Sequence, residues 1–142
     1  MKKKIWLITI CLWSIATQAQ DVFGKWKTVD DETGAHKSIV EIYEREGKVY
    51  GKVIEILEPF DKTMLCQNCE GDYEDKPILG FEIIQDLEKH GDQYKNGTVF
   101  DAENGKEYKC RLMLDKETGK LQVRGYIAFL YLTQYWIRYK ES

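Results

Sequence analysis

The sequence predicts an all-β protein, a small antiparallel up-and-down β-barrel of about eight strands. Three observations lead there. Apolar and polar residues alternate at period two, not 3.6, in most windows after residue 20. Tight turns carrying glycine separate these stretches at short intervals. Gly24-Lys25-Trp26 heads the first of them, directly after an apolar leader.

The leader comes first in the chain. Lys2–Lys4 form a basic start, an apolar run of about a dozen residues follows, and Thr17-Gln18-Ala19 supplies small residues for cleavage after Ala19. Residues 1–19 are therefore expected to be a cleaved signal peptide, and 20–142 a single domain exported to the periplasm or beyond. The run falls well short of the ~20 apolar residues a membrane span requires. Cys11 does not make a lipoprotein site, because Ile10 stands where a small residue is needed.

The leader removes three of the 21 Lys and Arg and none of the 24 Asp and Glu, which leaves the remainder at a formal charge of −6. Interspersed acidic charge argues against nucleic acid and anionic membrane as partners, since both attract a basic face.

Strands are then expected over 25–30, 38–45 and 48–58, with Thr33-Gly34 and Glu46-Gly47 as the turns between them. The stretch 78–87 fits a strand or a short helix; Gly80 and Ile83-Ile84 favour the strand. A strand follows over 97–101, then the turn Ala102-Glu103-Asn104-Gly105. Tyr108, Cys110, Leu112 and Leu114 alternate with polar neighbours, as do Leu121, Val123, Gly125 and Ile127; Lys116-Glu117-Thr118-Gly119 joins the two. The last strand is expected over 133–139. Seven or eight short strands with tight turns indicate a sandwich or a closed barrel, and closure is favoured because it would remove the exposed edges.

The only two prolines, Pro59 and Pro77, bracket the one long irregular segment, which carries Cys66-Gln67-Asn68-Cys69 and an acidic stretch. A connection of this length is typically functional or covalently tied. In an oxidising compartment the three remaining cysteines, Cys66, Cys69 and Cys110, predict one disulfide. It is either a short Cys66–Cys69 ring or a tie from the loop to Cys110. Alternation puts Cys110 on the apolar face of its strand, where a thiol behaves as a small hydrophobe.

Catalytic and metal chemistry finds little material. One Cys-x-x-Cys without a second pair is a weak zinc signal, and the loop lacks the helix start a redox motif uses. His36 and His90 both read as exposed loop residues, too few for a Ser/His/Asp or Cys/His site. Asp30-Asp31 and Asp101 with Glu103 are accounted for as turn residues, and Asn96-Gly97-Thr98 is a short glycosylation match that recurs by chance. No enzyme activity and no cofactor or metal are expected. The aromatic C-terminal strands suggest a lumen lined by Tyr126, Phe129, Tyr131 and Tyr135, able to hold a small hydrophobic ligand. The competing expectation is that such side chains simply fill the interior of a small barrel.

The motifs also carry a resemblance. Gly-x-Trp opening a first strand is similar to the device by which lipocalin-like (calycin-type) barrels plug one end. That likeness implies that Gly24, Trp26 and a cation, Arg138 or Arg124, close the barrel by a cation–π contact. Gly24–Thr28, Ser38–Tyr43, Gly47–Lys52, Cys66–Gly71, Pro77–Gly80, Gly105–Tyr108, Leu121–Tyr126 and Thr133–Arg138 together resemble the secreted bacterial family catalogued as domain of unknown function 2147. The resemblance implies a lipocalin-like barrel and export, without an established activity. Leu132 departs from it where an Arg is expected, and Asp101-Ala102 lacks the Pro expected after that Asp. The functions it leaves are a carrier of a small apolar molecule, or a cell-envelope module that contacts a protein partner through the 59–77 loop.

Overall fold

The computed structural model describes residues 21–30 and 32–140. The leader at 1–19, with Cys11, and Asp31 of the acidic pair lie outside the described residues. Eight strands follow in order: β1 (Gly24–Val29), β2 (His36–Arg45), β3 (Lys48–Ile56), β4 (Glu82–His90), β5 (Gln93–Asp101), β6 (Lys106–Leu114), β7 (Leu121–Ile127) and β8 (Leu130–Arg138). Each pairs antiparallel with its successor, and β8 returns to β1 to close the barrel.

The expected turns are present, and Gly34, Gly47, Gly105 and Gly119 all take positive φ. The ambiguous 78–87 stretch is strand, displaced to Glu82–His90. β5 and β8 begin earlier than alternation indicates, at Gln93 and Leu130, because each runs straight into a two-residue turn with its neighbour. The histidines are not loop residues. His36 opens β2, half-buried, and His90 ends β4 with Nε2 3.0 Å from Asn96 Nδ2.

Inward positions are not filled evenly. Toward the β2–β3, β4–β5 and β6–β7 turns the interior holds Trp26, Ile42, Leu87, Leu112 and Leu121, none more than 1% exposed, with Trp136 at 3%. Toward the opposite end several inward positions are small, namely Thr28 and Ser38, Val53, Val99 and Gly125 (inward by register), beside the larger Ile56, Tyr108 and Leu132. Eight strands fix one circumference, so large residues fill it and small ones leave it hollow. The barrel is solid at one end and open at the other.

Candidate functional site

The small inward residues leave a cavity of about 550 Å³ at the open end. Its wall is mostly apolar, including Val53, Ile56, Ile83, Val99 and Leu132, with Val123 and Trp136 on the side of the packed core. Gly125 sets its width: a Cβ there would sit 3.6 Å from Tyr108 Cβ and Val99 Cγ1, ordinary contact, so only the absence of a side chain keeps the space empty. Inside, the Thr28 and Ser38 hydroxyls lie 2.8 Å apart and bond each other, and Trp136 Nε1 donates to Gln134 Oε1 at 2.9 Å.

The rim is charged. Asp30 accepts from the backbone N–H and the hydroxyl of Thr33, bonds that hold its carboxyl below the ordinary carboxylate range. Lys37 lies between Asp30, 3.8 Å away, and Glu103, with which it forms an ion pair. Tyr108 OH accepts from Asn104 Nδ2 at 2.8 Å.

The long β3–β4 connection builds one side of this mouth. It leaves β3 through a cis Glu58–Pro59 bond, runs out to a short 3-10 helix (Gly71–Tyr73) and returns through a Leu65↔Pro77 bridge. Cys66 and Cys69 form a disulfide with Cα atoms 5.4 Å apart, while Cys110 is a buried free thiol pushed up to about 12 by burial. Of the two pairings the sequence left open, the short ring is the one formed.

This knuckle rests on the β5–β6 turn. Asn68 Nδ2 donates to Glu103 O at 2.6 Å, and a Cβ on Gly105 would lie 1.9 Å from Asn68 O, so only glycine lets the two backbones meet. Tyr73 packs on Phe81 and Phe100, with centroids 5.1 and 5.4 Å away. Docked in this way, the loop contributes Met64 and Ile78 to the cavity wall.

The expected aromatic lining is corrected in three of its four residues: Tyr131 lines the cavity, while Tyr126, Phe129 and Tyr135 are not part of it. Phe129 is 88% exposed in the β7–β8 turn. Tyr126 pairs with Tyr131 and Gln122 with Tyr135 on the outer face, where Gln122 donates to Tyr135 OH and Arg124 lies 4.2 Å over the Tyr131 ring. The physical reason is parity. The two-residue turn Ala128-Phe129 carries the inward series Val123, Gly125, Ile127 across to Leu130, Leu132 and Gln134. That signal was in the sequence, since the β7 series was already assigned inward, but both faces of β8 carry bulky apolar residues and hide it. Leu132, the noted departure, is an inward rim residue, 62% exposed.

At the opposite end Trp26 is fully buried, with Nε1 donating to Val22 O at 2.9 Å. The Arg138 guanidinium lies 4.2 Å over its ring and donates to Phe23 O at 3.0 Å and Asp21 O at 2.5 Å. A Cβ on Gly24 would sit 3.3 Å from Arg138 Nη1, so glycine leaves room for the guanidinium. Arg124, the other cation considered, is on the outer face. Among the described residues no cluster of three or more His, Cys, Asp or Glu is placed to hold a metal, and no helix is long and apolar enough to cross a membrane.

A family model described as "Uncharacterized protein conserved in bacteria (DUF2147)" matches residues 24–138. No curated protein gives a significant match. Among solved structures the chain is similar to protein HP1028 from the human pathogen Helicobacter pylori, described as belonging to the lipocalin family. The two are 21% identical with a TM-score of 0.75, over 87% of this chain and 86% of that one. At that identity the likeness is one of fold.

Proposed function

The chain belongs to the DUF2147 family of uncharacterized proteins conserved in bacteria, and from that premise we propose that it is a non-enzymatic binding protein holding a small, largely apolar molecule in its barrel mouth. The observation that carries this reading is the hollow end. A cavity of about 550 Å³, walled by aliphatic side chains, falls in the size range of small-molecule sites, and a few polar groups at its rim can orient a ligand. Water against the aliphatic part of this wall finds few hydrogen-bond partners, so an apolar occupant that displaces it is favoured by burial of both surfaces.

Gly24, Trp26 and Arg138 seal the far end in this account, and the Cys66–Cys69 knuckle holds Met64 and Ile78 against the cavity. The docked loop favours this role over that of a projecting arm for an envelope partner. Export belongs to the same reading: the leader at 1–19 and a disulfide both suit an oxidising compartment.

Native mass spectrometry of protein purified without organic solvent tests it. A small-molecule adduct that disappears on solvent extraction is the expected result. A protein that carries no adduct, and takes up no apolar probe after extraction, would remove the proposal.

A further inference from the structure

The charge that lines the cavity is mostly of one sign. Among the described residues Asp30, Glu32, Asp101 and Glu103 line it against a single cation, Lys37. Alternation brings two of these carboxylates there, because Asp30 continues the inward series Trp26, Thr28 and Asp101 continues Val99. Glu32 and Glu103 stand in the β1–β2 and β5–β6 turns, and Lys37 spans the two turns by reaching both Asp30 and Glu103. The β7–β8 side of the mouth differs: Ile127, Leu130 and Leu132 are exposed and apolar.

Lys37 is already engaged. Its Nζ lies 3.8 Å from Asp30 Oδ2, forms the ion pair with Glu103 and sits 5.4 Å over the Phe60 ring. Four carboxylates against one ammonium leave three negative charges in excess at the mouth, beside an apolar wall that concentrates their field. Asp30 keeps its charge at neutral pH, since its bonds from Thr33 favour the ionised form. Deeper in, the polar groups satisfy each other: Thr28 with Ser38, and Trp136 with Gln134. The cavity is therefore apolar within and anionic at its edge.

We propose that the occupant is a cationic amphiphile, with its apolar body in the hollow end and an amine or quaternary ammonium head among Asp30, Glu32, Asp101 and Glu103. This rests on the carrier reading above and adds to it the sign of the head. A carboxylate or sulfate head would meet net negative charge, and the one cation that could receive it is held by two carboxylates. A neutral head would leave the excess charge uncompensated. The edge is partly solvated, so its charge discriminates between ligands more than it raises affinity.

Displacement of N-phenyl-1-naphthylamine from the extracted protein tests this. The competitors share a ten-carbon chain: decyltrimethylammonium, decanol and decanoate, each kept below micelle formation near neutral pH. The expected order is ammonium, then alcohol, then carboxylate, with the ammonium about fivefold tighter than the alcohol at low salt and less so as salt rises. The double variant Glu32→Gln with Glu103→Gln changes two exposed side chains, removes two charges and releases Lys37. Its ammonium-to-alcohol affinity ratio should fall toward one, with a thermal melt showing that it is folded. If N-phenyl-1-naphthylamine binds but the alcohol or carboxylate competes as well as the ammonium, the cationic head is wrong and the carrier reading stands. A ratio unchanged in the double variant overturns the assignment to these carboxylates. Uptake of none of the four compounds removes both.

Discussion

The two ends of one barrel are built from the same eight strands and do opposite things. At the packed end large side chains fill the interior, Gly51 being covered by Ile42 and Ile84, and the buried indole of Trp26 lies in the core with Val22 and Ile42 and under the Arg138 guanidinium. At the mouth the same strands present Thr28, Ser38, Val99 and Gly125, and the space they leave is cavity. Circumference is fixed by strand number, so the choice between filling and binding is made residue by residue. Stability should therefore depend on the packed end and ligand capacity on the mouth.

The largest effect expected is at the packed end. Trp26→Ala removes a fully buried indole and its bond to Val22 O, which should destabilise the fold by about 3–5 kcal/mol. A thermal or urea melt measures it; a loss below ~1 kcal/mol would mean that the packed end is not where stability resides. Arg138→Met keeps much of the covering stem but deletes the charge over the ring and the bonds to Asp21 O and Phe23 O, an expected cost of about 1–3 kcal/mol. If Arg138→Met melts like wild type, the guanidinium is incidental to closure.

The mouth should respond in the other currency. The Cys66–Cys69 ring spans a sequence separation of 3, so opening it with a reductant should lower global stability by no more than about 2 kcal/mol. Ligand affinity should fall by more than stability does, because Met64 and Ile78 lose their hold on the cavity. Equal affinity before and after reduction would show that the loop is not a wall of the site. Native-state alkylation of Cys110 should stay slow throughout, since burial holds its thiol protonated.

The smallest effect lies on the outer wall, at neither end. Arg45 donates to Glu82 Oε1 at 2.7 Å and Tyr43 OH does so at 2.6 Å, and these bonds hold the Glu82 carboxyl below its ordinary value against the opposing cost of burial. A carboxylate whose pKa is depressed on folding contributes stability above the unfolded value and loses it as pH falls through the folded one. Glu82→Gln should therefore flatten the acid limb of the stability profile by under ~1 kcal/mol, because the pair is partly exposed. An unchanged acid limb would mean that the bonds do not persist in solution.

Much of this division was legible in the chain. Alternation and glycine turns marked the strands of a sandwich or barrel, and the likeness of Gly24-Lys25-Trp26 to a barrel plug pointed to closure and to the end where the indole is now seen buried. The family followed from motifs spread through 24–138. What stayed hidden was parity at β8. Tyr131-Leu132-Thr133-Gln134-Tyr135-Trp136 has bulky residues on both faces, so the aromatic series looked like lining when the leucines face in. The cavity itself was also unreadable, because it is made by what is missing at Gly125 and by Ser38, Thr28 and Val99 meeting from four strands.

Filling the mouth without touching the packed end tests the division most directly. Gly125→Leu places a side chain in the cavity from a position where a Cβ makes only ordinary contacts. Titration with N-phenyl-1-naphthylamine, alongside a thermal melt, should show saturable uptake by the extracted wild type, loss of that uptake in Gly125→Leu, and a melting temperature at least as high. Undiminished uptake by a folded Gly125→Leu protein would contradict the account, because the probe would then be binding somewhere other than the hollow end.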